Sequence, residues 1–239
     1  MNALVVGGAS GIGAATCAAL ARDGFRVGVA DRDRAGAERV AQPLGASAFG
    51  VDVADEASVA ALFDAVFAEF GTLEALAIPA GIVDTTPFLD IDVATFRKVY
   101  DVNVLGTFLC LREAGRRCKP GARIVTVASV AGKRGGGLSG TGAYAASKGA
   151  VLALTRSAAR ALAESGIVVN CVAPGPTLTP MLEPAFAKTG QKDRVESMTL
   201  LRRSAEPHEI AEAIAWLLSP RSSYVAGETL TVDGGLMLD

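Results

Sequence analysis

Histidine and aromatic residues are scarce in this chain of 239 residues, which has one histidine and 5% aromatic residues. The histidine, His208, lies in Glu-Pro-His-Glu, a sequence typical of the first turn of a helix. We expect it to be exposed and structural, which argues against a serine-type triad and against a histidine-based dehydrogenase. Because half of the residues are apolar and few are aromatic, we expect a core built mainly from Ala, Val and Leu.

The sequence also lacks a charge excess and long apolar runs. Its net charge is −2 with both signs dispersed, so it has no basic patch of the kind that binds nucleic acid. No apolar run reaches about 18 residues, so we expect no transmembrane helix and no membrane partner. The first apolar run begins at Ala3, which leaves no room for a signal peptide, and we expect a cytoplasmic protein.

The four cysteines, Cys17, Cys110, Cys118 and Cys171, show no Cys-x-x-Cys spacing, and two fall in apolar segments. This pattern favours buried free thiols in a reducing compartment and argues against zinc or another metal. The mean hydropathy of +0.36 is high for a soluble monomer and indicates apolar surface buried between subunits.

The beginning of the chain predicts a phosphate-binding cradle. Residues 3–6 form an apolar run typical of a buried strand, residues 7–13 are Gly-Gly-Ala-Ser-Gly-Ile-Gly, and residues 14–22 are Ala-rich and helix-like. In such a turn the glycines let the backbone approach a ligand, and the helix N-terminus offers free N–H groups. A glycine-rich turn also occurs without a ligand, so the hypothesis depends on its context.

An acidic residue in the expected place supports that context. Residues 25–30 predict a second strand, and Asp31 follows it directly, about 20 positions beyond the glycines. A carboxylate there binds the hydroxyls of an adenosine ribose and repels the 2′-phosphate of NADP. Arg32 and Arg34 argue the other way, because arginine can accept that phosphate. We predict NAD rather than NADP, since Asp31 stands at the strand end.

Tyr144 and Lys148 lie four residues apart in Tyr-Ala-Ala-Ser-Lys, so on a helix they share one face. An ammonium beside a phenol favours the phenolate, and we expect Lys148 to lower the pKa of Tyr144 for acid–base chemistry near neutral pH. The same spacing also fits an ordinary surface helix, and the rest of the chain favours the catalytic interpretation.

Strand-like and helix-like segments alternate without a linker or internal repeat. This alternation predicts an α/β fold over residues 1–239, a single-domain Rossmann-type doubly wound parallel sheet with helices on both faces. Ligands of such sheets bind at the carboxyl ends of the strands, so the glycine loop, Ser129 and Pro174 should converge on one edge. Further helices are predicted at 58–70, 93–118 and 144–165, and further strands at 124–127, 167–172 and 230–232.

Together these motifs resemble the classical short-chain dehydrogenase/reductase family over essentially the whole chain. The family's Thr-Gly-x-x-x-Gly-x-Gly corresponds to residues 6–13, its Tyr-x-x-x-Lys to residues 144–148, and its Pro-Gly turn to residues 174–175. The catalytic residues that the resemblance implies are Asn103, Ser129, Tyr144 and Lys148. The predicted cofactor-binding residues are Gly7, Ser10, Gly11, Ile12, Gly13, Asp31, Asp52, Val53, Ala80, Gly81, Tyr144, Lys148, Pro174, Gly175, Thr177 and Thr179.

The resemblance also implies a role for each catalytic residue. Tyr144 exchanges a proton with the substrate oxygen as hydride moves to or from the nicotinamide, and Lys148 binds the nicotinamide ribose. Ser129 holds the substrate oxygen. Asn103 positions a water that links Lys148 to solvent, although it also fits a structural amide inside a helix. Thr179 stands where the family bonds the nicotinamide amide.

Three features depart from the family pattern. Val6 replaces the motif threonine and Ile78-Pro79 replace two asparagines, so we expect an apolar contact where the family has a hydrogen bond between the glycine loop and the fourth strand. The segment between Ser129 and Tyr144 is longer than in many members and glycine-rich at 135–137, so we expect extra freedom beside the substrate.

Residues 177–203 form a long segment that polar residues interrupt, and we predict a lid over the substrate. Val83 and residues 135–138 are expected to complete the pocket, and Lys133 and Arg134 are the basic residues near Ser129. Without an evident basic cluster, the predicted substrate is an apolar secondary alcohol or ketone of moderate size. Four apolar residues either line this pocket or only pack the lid onto the body: Met181, Leu182, Phe186 and Met198.

The helix predicted from Tyr144 is apolar around much of its circumference, so we expect it to be buried. The family buries the equivalent helices between subunits, which implies a homotetramer or homodimer. The apolar residues of this helix include Ala150, Val151, Leu152, Leu154, Ala158, Ala159 and Leu162.

The sequence therefore predicts an NAD-dependent oxidoreductase that interconverts a secondary alcohol and a ketone. Two alternatives stay open. One is an NADPH-dependent 3-oxoacyl-carrier-protein reductase of the same family, against which Asp31 argues. The other is a non-catalytic NAD(H)-binding sensor on the same fold, against which the complete catalytic set argues, although a fold alone does not establish function.

Overall fold

A computed structural model describes residues 1–136, 142–187 and 190–238. In this part of the chain, seven parallel strands form one sheet in the order β3-β2-β1-β4-β5-β6-β7. The strands are β1 (Asn2–Val6), β2 (Arg26–Asp31), β3 (Ser47–Gly50), β4 (Ala75–Ile78), β5 (Arg123–Val127), β6 (Val168–Pro174) and β7 (Thr229–Val232). The helices are α1 (Gly11–Arg22), α2 (Arg34–Ala41), α3 (Glu56–Phe70), α4 (Val93–Tyr100), α5 (Gly106–Arg117), α6 (Val130–Arg134), α7 (Gly142–Leu162), α8 (Glu183–Phe186), α9 (Gln191–Ser197) and α10 (Pro207–Leu218).

Helices cover both faces of the sheet because alternate strand residues point to opposite sides. In β1, Ala3 and Val5 belong to an apolar cluster that includes residues of α1 and α10, whereas Leu4 and Val6 belong to a second cluster with α3 and α5. A parallel strand buried on both faces needs a continuous apolar run, which is what β1 has. The predicted Rossmann-type fold is confirmed.

The strand order reverses between β1 and β4, and this reversal positions the site. At such a point the connections leave the two strands in opposite directions and open a crevice at their carboxyl ends. The glycine loop follows β1 and residues 79–82 follow β4, while Ser129 follows β5 and Pro174 ends β6. The topology therefore brings the glycine loop, Ser129 and Pro174 to one edge of the sheet, as the sequence predicted.

Two element boundaries bear on function. Helix α1 begins at Gly11, not Ala14, so the last two motif glycines lie in its first turn. The helix predicted at 93–118 runs through α4 and α5 but contains a π-helical turn at Asp101–Leu105. The extra residue of a π turn leaves no local sequence signal, and such turns are frequent at functional sites.

None of the helices in the described ranges is both long and apolar enough to cross a membrane.

Candidate active site

The glycine loop packs against the chain that follows β4 so closely that side chains would not fit. A Cβ atom on Gly7 would lie 2.5 Å from the Ala80 nitrogen, and one on Gly13 would lie 1.9 Å from the Gly7 carbonyl oxygen. Gly7 also has a φ of +95°, which favours glycine. The side chain of Ser10, which precedes α1, makes no capping hydrogen bond, so it leaves the first-turn N–H groups of this helix without a capping side-chain acceptor.

Backbone hydrogen bonds tie this loop to the sheet. The Gly7 nitrogen donates to the Ala30 carbonyl at 2.7 Å, and the Ala80 nitrogen donates to the Val6 carbonyl at 2.9 Å. The side chains of Val6 and Ile78 are buried in the same apolar cluster. The loop is therefore held without the polar side chains that the family pattern has at these positions.

A cavity of about 280 Å³ opens between the glycine loop, the end of β2 and residues 51–53. The Asp31 carboxylate stands on its wall and accepts hydrogen bonds from the Ala9 and Asp33 nitrogens, both at 3.0 Å. Arg32 lines the same cavity. The predicted cofactor-binding residues that line it are Gly7, Ser10, Gly11, Ile12, Gly13, Asp31, Asp52, Val53, Ala80, Gly81 and Thr179.

A second cavity of about 130 Å³ contains the predicted proton-transfer residues. Ser129, Tyr144 and Lys148 line it, together with Pro174, Gly175 and Thr177. The two cavities adjoin, because they share five wall residues. The shared residues are Ile12, Pro79, Gly81, Thr179 and Met181.

Ser129 and Tyr144 come together where α6 crosses α7. Ser129 caps α6, and its hydroxyl oxygen accepts a hydrogen bond from the Ala131 nitrogen at 3.1 Å. Its hydroxyl lies beside Tyr144 on the wall of the same cavity and acts to lower the pKa of Tyr144. The helices approach closely because Gly132 has no side chain: a Cβ atom there would lie 2.6 Å from the Gly149 nitrogen.

The pKa of Tyr144 is raised, which contradicts the prediction that Lys148 lowers it. Tyr144 keeps some exposure to the cavity, but the loss of water around its hydroxyl raises its pKa, which the neighbouring Ser129 hydroxyl only partly opposes. Lys148 does not offset this burial, because its ammonium nitrogen lies 5.9 Å from the phenol ring centroid and donates to the Val127 carbonyl at 2.8 Å.

Lys148 itself is 4% exposed, and this burial lowers its pKa to about 8, an effect that the neighbouring Cys171 opposes. The ammonium thus loses a proton far more readily than an ordinary lysine. Burial therefore moves the two pKa values apart, and in this structure Tyr144 holds its proton more tightly than Lys148.

Asn103 is fully buried in the π turn and is absent from the described linings of both cavities. Its Oδ1 atom accepts from the Ile82 nitrogen at 2.8 Å, and its Nδ2 atom donates to the Ile82 carbonyl at 2.9 Å. It nevertheless lies near the lysine: a Cβ atom on Gly81 would be 3.1 Å from Asn103 Oδ1 and 3.2 Å from Lys148 Nζ. The structure thus places Asn103 behind the crevice wall.

Comparison with known proteins decides the family. A family model described as enoyl-(acyl carrier protein) reductase matches residues 7–237. The cis-4-hydroxycyclohexanecarboxylate dehydrogenase of Sinomonas cyclohexanicum is 43% identical, covering 98% of this chain and 95% of that protein. The chain belongs to the short-chain dehydrogenase/reductase family.

Two further relatives of this short-chain dehydrogenase/reductase agree. The 2,5-dichloro-2,5-cyclohexadiene-1,4-diol dehydrogenase of Sphingobium indicum is 40% identical, covering 97% of this chain and 95% of that protein. A solved short-chain dehydrogenase/reductase structure from Mycobacterium marinum is 30% identical with a TM-score of 0.94, covering 100% of this chain and 96% of the other. The chain is therefore an oxidoreductase of a family that uses nicotinamide cofactors, and the resemblance is confirmed.

The predicted pocket residues of this short-chain dehydrogenase/reductase divide into two groups. Met181, Leu182 and Val83 line the second cavity, whereas Phe186 and Met198 are not among its described wall residues. Lys133 donates to the Thr231 hydroxyl at 2.9 Å. Of the loop predicted to complete the pocket, residues 137 and 138 lie outside the described residues.

Sequence reasoning missed two residues of the site. Val195 of α9 is 1% exposed and lines the second cavity, but nothing in the sequence links it to Tyr144. Ser147 is fully buried and bonds Asn103. The sequence held a signal for Ser147, because a serine directly before Lys148 on an otherwise apolar helix face needs a hydrogen-bond partner.

Proposed function

We propose that this protein is an NAD-dependent short-chain alcohol dehydrogenase/ketoreductase that interconverts a ring secondary alcohol and its ketone by hydride transfer. The observation that carries the proposal is that Ser129, Tyr144 and Lys148 line one cavity, which shares wall residues with the cavity of the glycine cradle. These are the groups needed to bind a substrate oxygen and to move its proton.

The crevice fits a nicotinamide dinucleotide. A pyrophosphate needs backbone N–H groups without crowding side chains, which the first turn of α1 and the glycine cradle supply. Asp31 would hold the adenosine ribose, Asp52 and Val53 would flank the adenine, and residues 174–179 with Lys148 would hold the nicotinamide end. When bound there, the cofactor would accept or supply the hydride. Two adjoining cavities suit a ligand of two halves.

Asp31 supports NAD over NADP. Both of its oxygens accept backbone hydrogen bonds, so the carboxylate is held in place, and a 2′-phosphate would meet a fixed negative charge. Arg34 is paired with Glu38 at 3.1 Å. Arg32 on the same cavity wall is the observation that favours the NADPH-dependent 3-oxoacyl reductase, and a comparison of the two cofactors separates the candidates.

In the proposed oxidation, ionised Tyr144 takes the proton of the substrate hydroxyl while the Ser129 hydroxyl donates a hydrogen bond to the substrate oxygen. In reduction the same proton returns to the substrate oxygen. The pKa of Tyr144 should fall once the site gains the positive charge of oxidised nicotinamide. Lys148 then serves as the neighbouring proton carrier, and Asn103 holds the wall behind it.

The substrate proposal rests on the wall of the second cavity. Val83, Val130, Leu182 and Val195 make it apolar, and Lys148 is the one charged residue among its described wall residues. Two relatives of similar length are named for dehydrogenation of ring alcohols. Both observations support a cyclic secondary alcohol that offers apolar surface to the pocket.

We further propose one nucleotide-binding domain over residues 1–239, with residues 177–203 as the substrate lid. Thr179 supports the lid position, because a Cβ atom on Gly11 of the cradle would lie 3.1 Å from the Thr179 side chain. Met181 and Leu182 of this segment form cavity wall.

The protein is proposed to be a cytoplasmic homotetramer or homodimer. On α7, Val151 and Leu152 are buried within the chain itself, so they are not the surface that a partner would cover. Exposed apolar side chains lie instead on α4 and α5, where Val93 is 65% exposed and Phe96 and Phe108 are each 41% exposed. Light scattering on the purified protein tests the oligomeric state.

The test of function is NADH formation from NAD⁺ across a panel of cyclic secondary alcohols and diols. Tyr144→Phe should abolish the signal while leaving NADH binding intact, and Tyr224→Phe, which changes a fully exposed tyrosine, should retain it. Equal activity of Tyr144→Phe would refute the proposed mechanism. NADH binding without turnover of any alcohol, or of any ketone with NADPH, would instead favour the sensor alternative.

A further inference from the structure

Ser147 is a fully buried hydroxyl between the two proton-transfer residues of α7. Its Oγ atom donates to the Tyr144 carbonyl at 2.7 Å and accepts from Asn103 Nδ2 at 2.9 Å. A hydroxyl has one donor and two acceptor sites. In Ser147 the donor is used by the Tyr144 carbonyl of the same helix, and one acceptor site is used by Asn103. Ser147 therefore connects α7 with the π turn.

The Asn103 amide carries this connection to the crevice wall. One Nδ2 hydrogen goes to Ser147 and the other to the Ile82 carbonyl, while Oδ1 accepts from the Ile82 nitrogen. Both donors and the acceptor oxygen are thus engaged by protein atoms, and both backbone polar groups of Ile82 are held by one side chain. An amide bound at three points has a fixed orientation, and removal of the Ser147 hydroxyl would leave one buried Nδ2 hydrogen without its acceptor.

The wall that Asn103 holds is shared by both cavities. Pro79 and Gly81 line both, and Ile82 lines the larger one. Gly81 lies against Asn103 Oδ1 and Lys148 Nζ so closely that an added Cβ would be 3.1 Å and 3.2 Å from them. A shift of this wall would therefore change the distance between Lys148 and whatever occupies the crevice.

We propose that Ser147 is a positioning residue, which locks residues 79–82 to the helical turn of Tyr144 and Lys148 through Asn103. Its hydroxyl sets the orientation of the Asn103 amide, and the amide sets the position of Ile82. The kinetic consequence rests on the proposed dehydrogenase function, whereas the effect on Ile82 does not.

Thr155 provides the matched control. It lies on the same helix, is fully buried, and donates to the Val151 carbonyl at 2.8 Å, as Ser147 does to Tyr144. Its hydroxyl is otherwise bonded to Thr126 at 2.6 Å and not to the π turn. If a buried hydroxyl on α7 mattered only for helix stability, Ser147→Ala and Thr155→Val would have similar effects.

The first experiment is steady-state kinetics on the best ring alcohol of the panel. We expect Ser147→Ala to lower kcat by about 10- to 100-fold with a smaller change in KM, as for misplacement of a catalytic group by about 1 Å. Thr155→Val should stay within about threefold of the wild type. Because Ser147 acts through Asn103, adding Ser147→Ala to Asn103→Ala should cost little more than Asn103→Ala alone. Additive losses, or equal losses in Ser147→Ala and Thr155→Val, would overturn the proposal.

Hydrogen exchange of the Ile82 amide gives a readout that needs no activity. With its Asn103 acceptor loosened, the Ile82 amide should exchange about tenfold faster in folded Ser147→Ala and at the wild-type rate in Thr155→Val. An unchanged Ile82 rate in Ser147→Ala would refute the positioning role. A wild type inactive on every alcohol, with the expected change at Ile82, would remove the proposed function and leave the positioning role supported.

Discussion

Replacing Lys148 by methionine should change how the stability of the protein depends on pH while it abolishes the proposed activity. Lys148 is 4% exposed, and methionine has a similar unbranched shape without the charge. Burial lowers the lysine pKa from an ordinary 10.5 to about 8. Since each tenfold change in proton affinity corresponds to about 1.4 kcal/mol, burying the charged form costs about 3 kcal/mol.

The sign of the pH dependence follows from the lowered pKa. Below pH 8 Lys148 is protonated in both the folded and the unfolded chain, so the full free-energy cost of burying its charge lowers the stability of the protein. Between pH 8 and 10.5 the unfolded chain keeps a proton on Lys148 that the folded protein has released. The destabilisation caused by the buried charge therefore decreases as pH rises. The stability of Lys148→Met relative to the wild type should therefore fall by about 2 kcal/mol between pH 7 and pH 10. Loss of the hydrogen bond to Val127 adds a destabilisation of about 1–3 kcal/mol that does not depend on this titration.

Urea unfolding at both pH values measures this difference, with the fluorescence of the single tryptophan, Trp216, as signal. Protein concentration and reductant stay constant, because oligomerisation and thiol oxidation would also change the apparent stability. Lys119→Met, which removes an exposed lysine, is the control and should differ from the wild type by the same amount at both pH values. If Lys148→Met also shows no pH dependence relative to the wild type, burial does not lower the pKa of Lys148, and Lys148 does not release its proton more readily than an ordinary lysine.

Three further predictions concern the cofactor site and the proton. Gly13→Ala, whose Cβ would lie 1.9 Å from the Gly7 carbonyl, should weaken NADH binding by more than about tenfold in calorimetry, whereas Gly50→Ala, with its nearest neighbour at 3.7 Å, should not; equal affinities would contradict the cradle. Asp31→Ser should raise kcat/KM with NADP relative to NAD by about tenfold or more, and an unchanged ratio would show that this carboxylate does not select the cofactor. Since oxidation needs ionised Tyr144, whose pKa is raised, kcat/KM for the alcohol should rise with pH and kcat/KM for the ketone should fall; parallel profiles would exclude this acid–base role.

The residues of the crevice wall show which parts of the site short sequence patterns can predict. The glycine turn after β1, the acidic residue ending β2 and the four-residue spacing of Tyr144 and Lys148 all depend on neighbours within a helical turn or a strand. The parallel topology then brings these short signals to one sheet edge by rule, since the carboxyl ends of parallel strands lie together. Each cofactor-binding position predicted from sequence accordingly lines one of the two cavities.

The tertiary structure alone decided the properties that depend on burial. The raised pKa of Tyr144 and the lowered pKa of Lys148 come from water excluded by segments distant in sequence, and no spacing between two residues reports that. Val195 of α9 lines the second cavity beside Tyr144, although the two residues are far apart in the sequence.

Asn103 shows, within one residue, what the sequence predicts and what only the folded structure determines. The sequence by itself determined that an asparagine stands at the family's catalytic position, on a segment with helical character. Only the packed structure decided that the segment forms a π turn, and that the amide binds Ile82 and Ser147 behind the wall. The physical reason is that helical periodicity is set by contacts three and four residues apart, whereas the partners of a buried amide come from whichever distant segments the fold brings within hydrogen-bond distance.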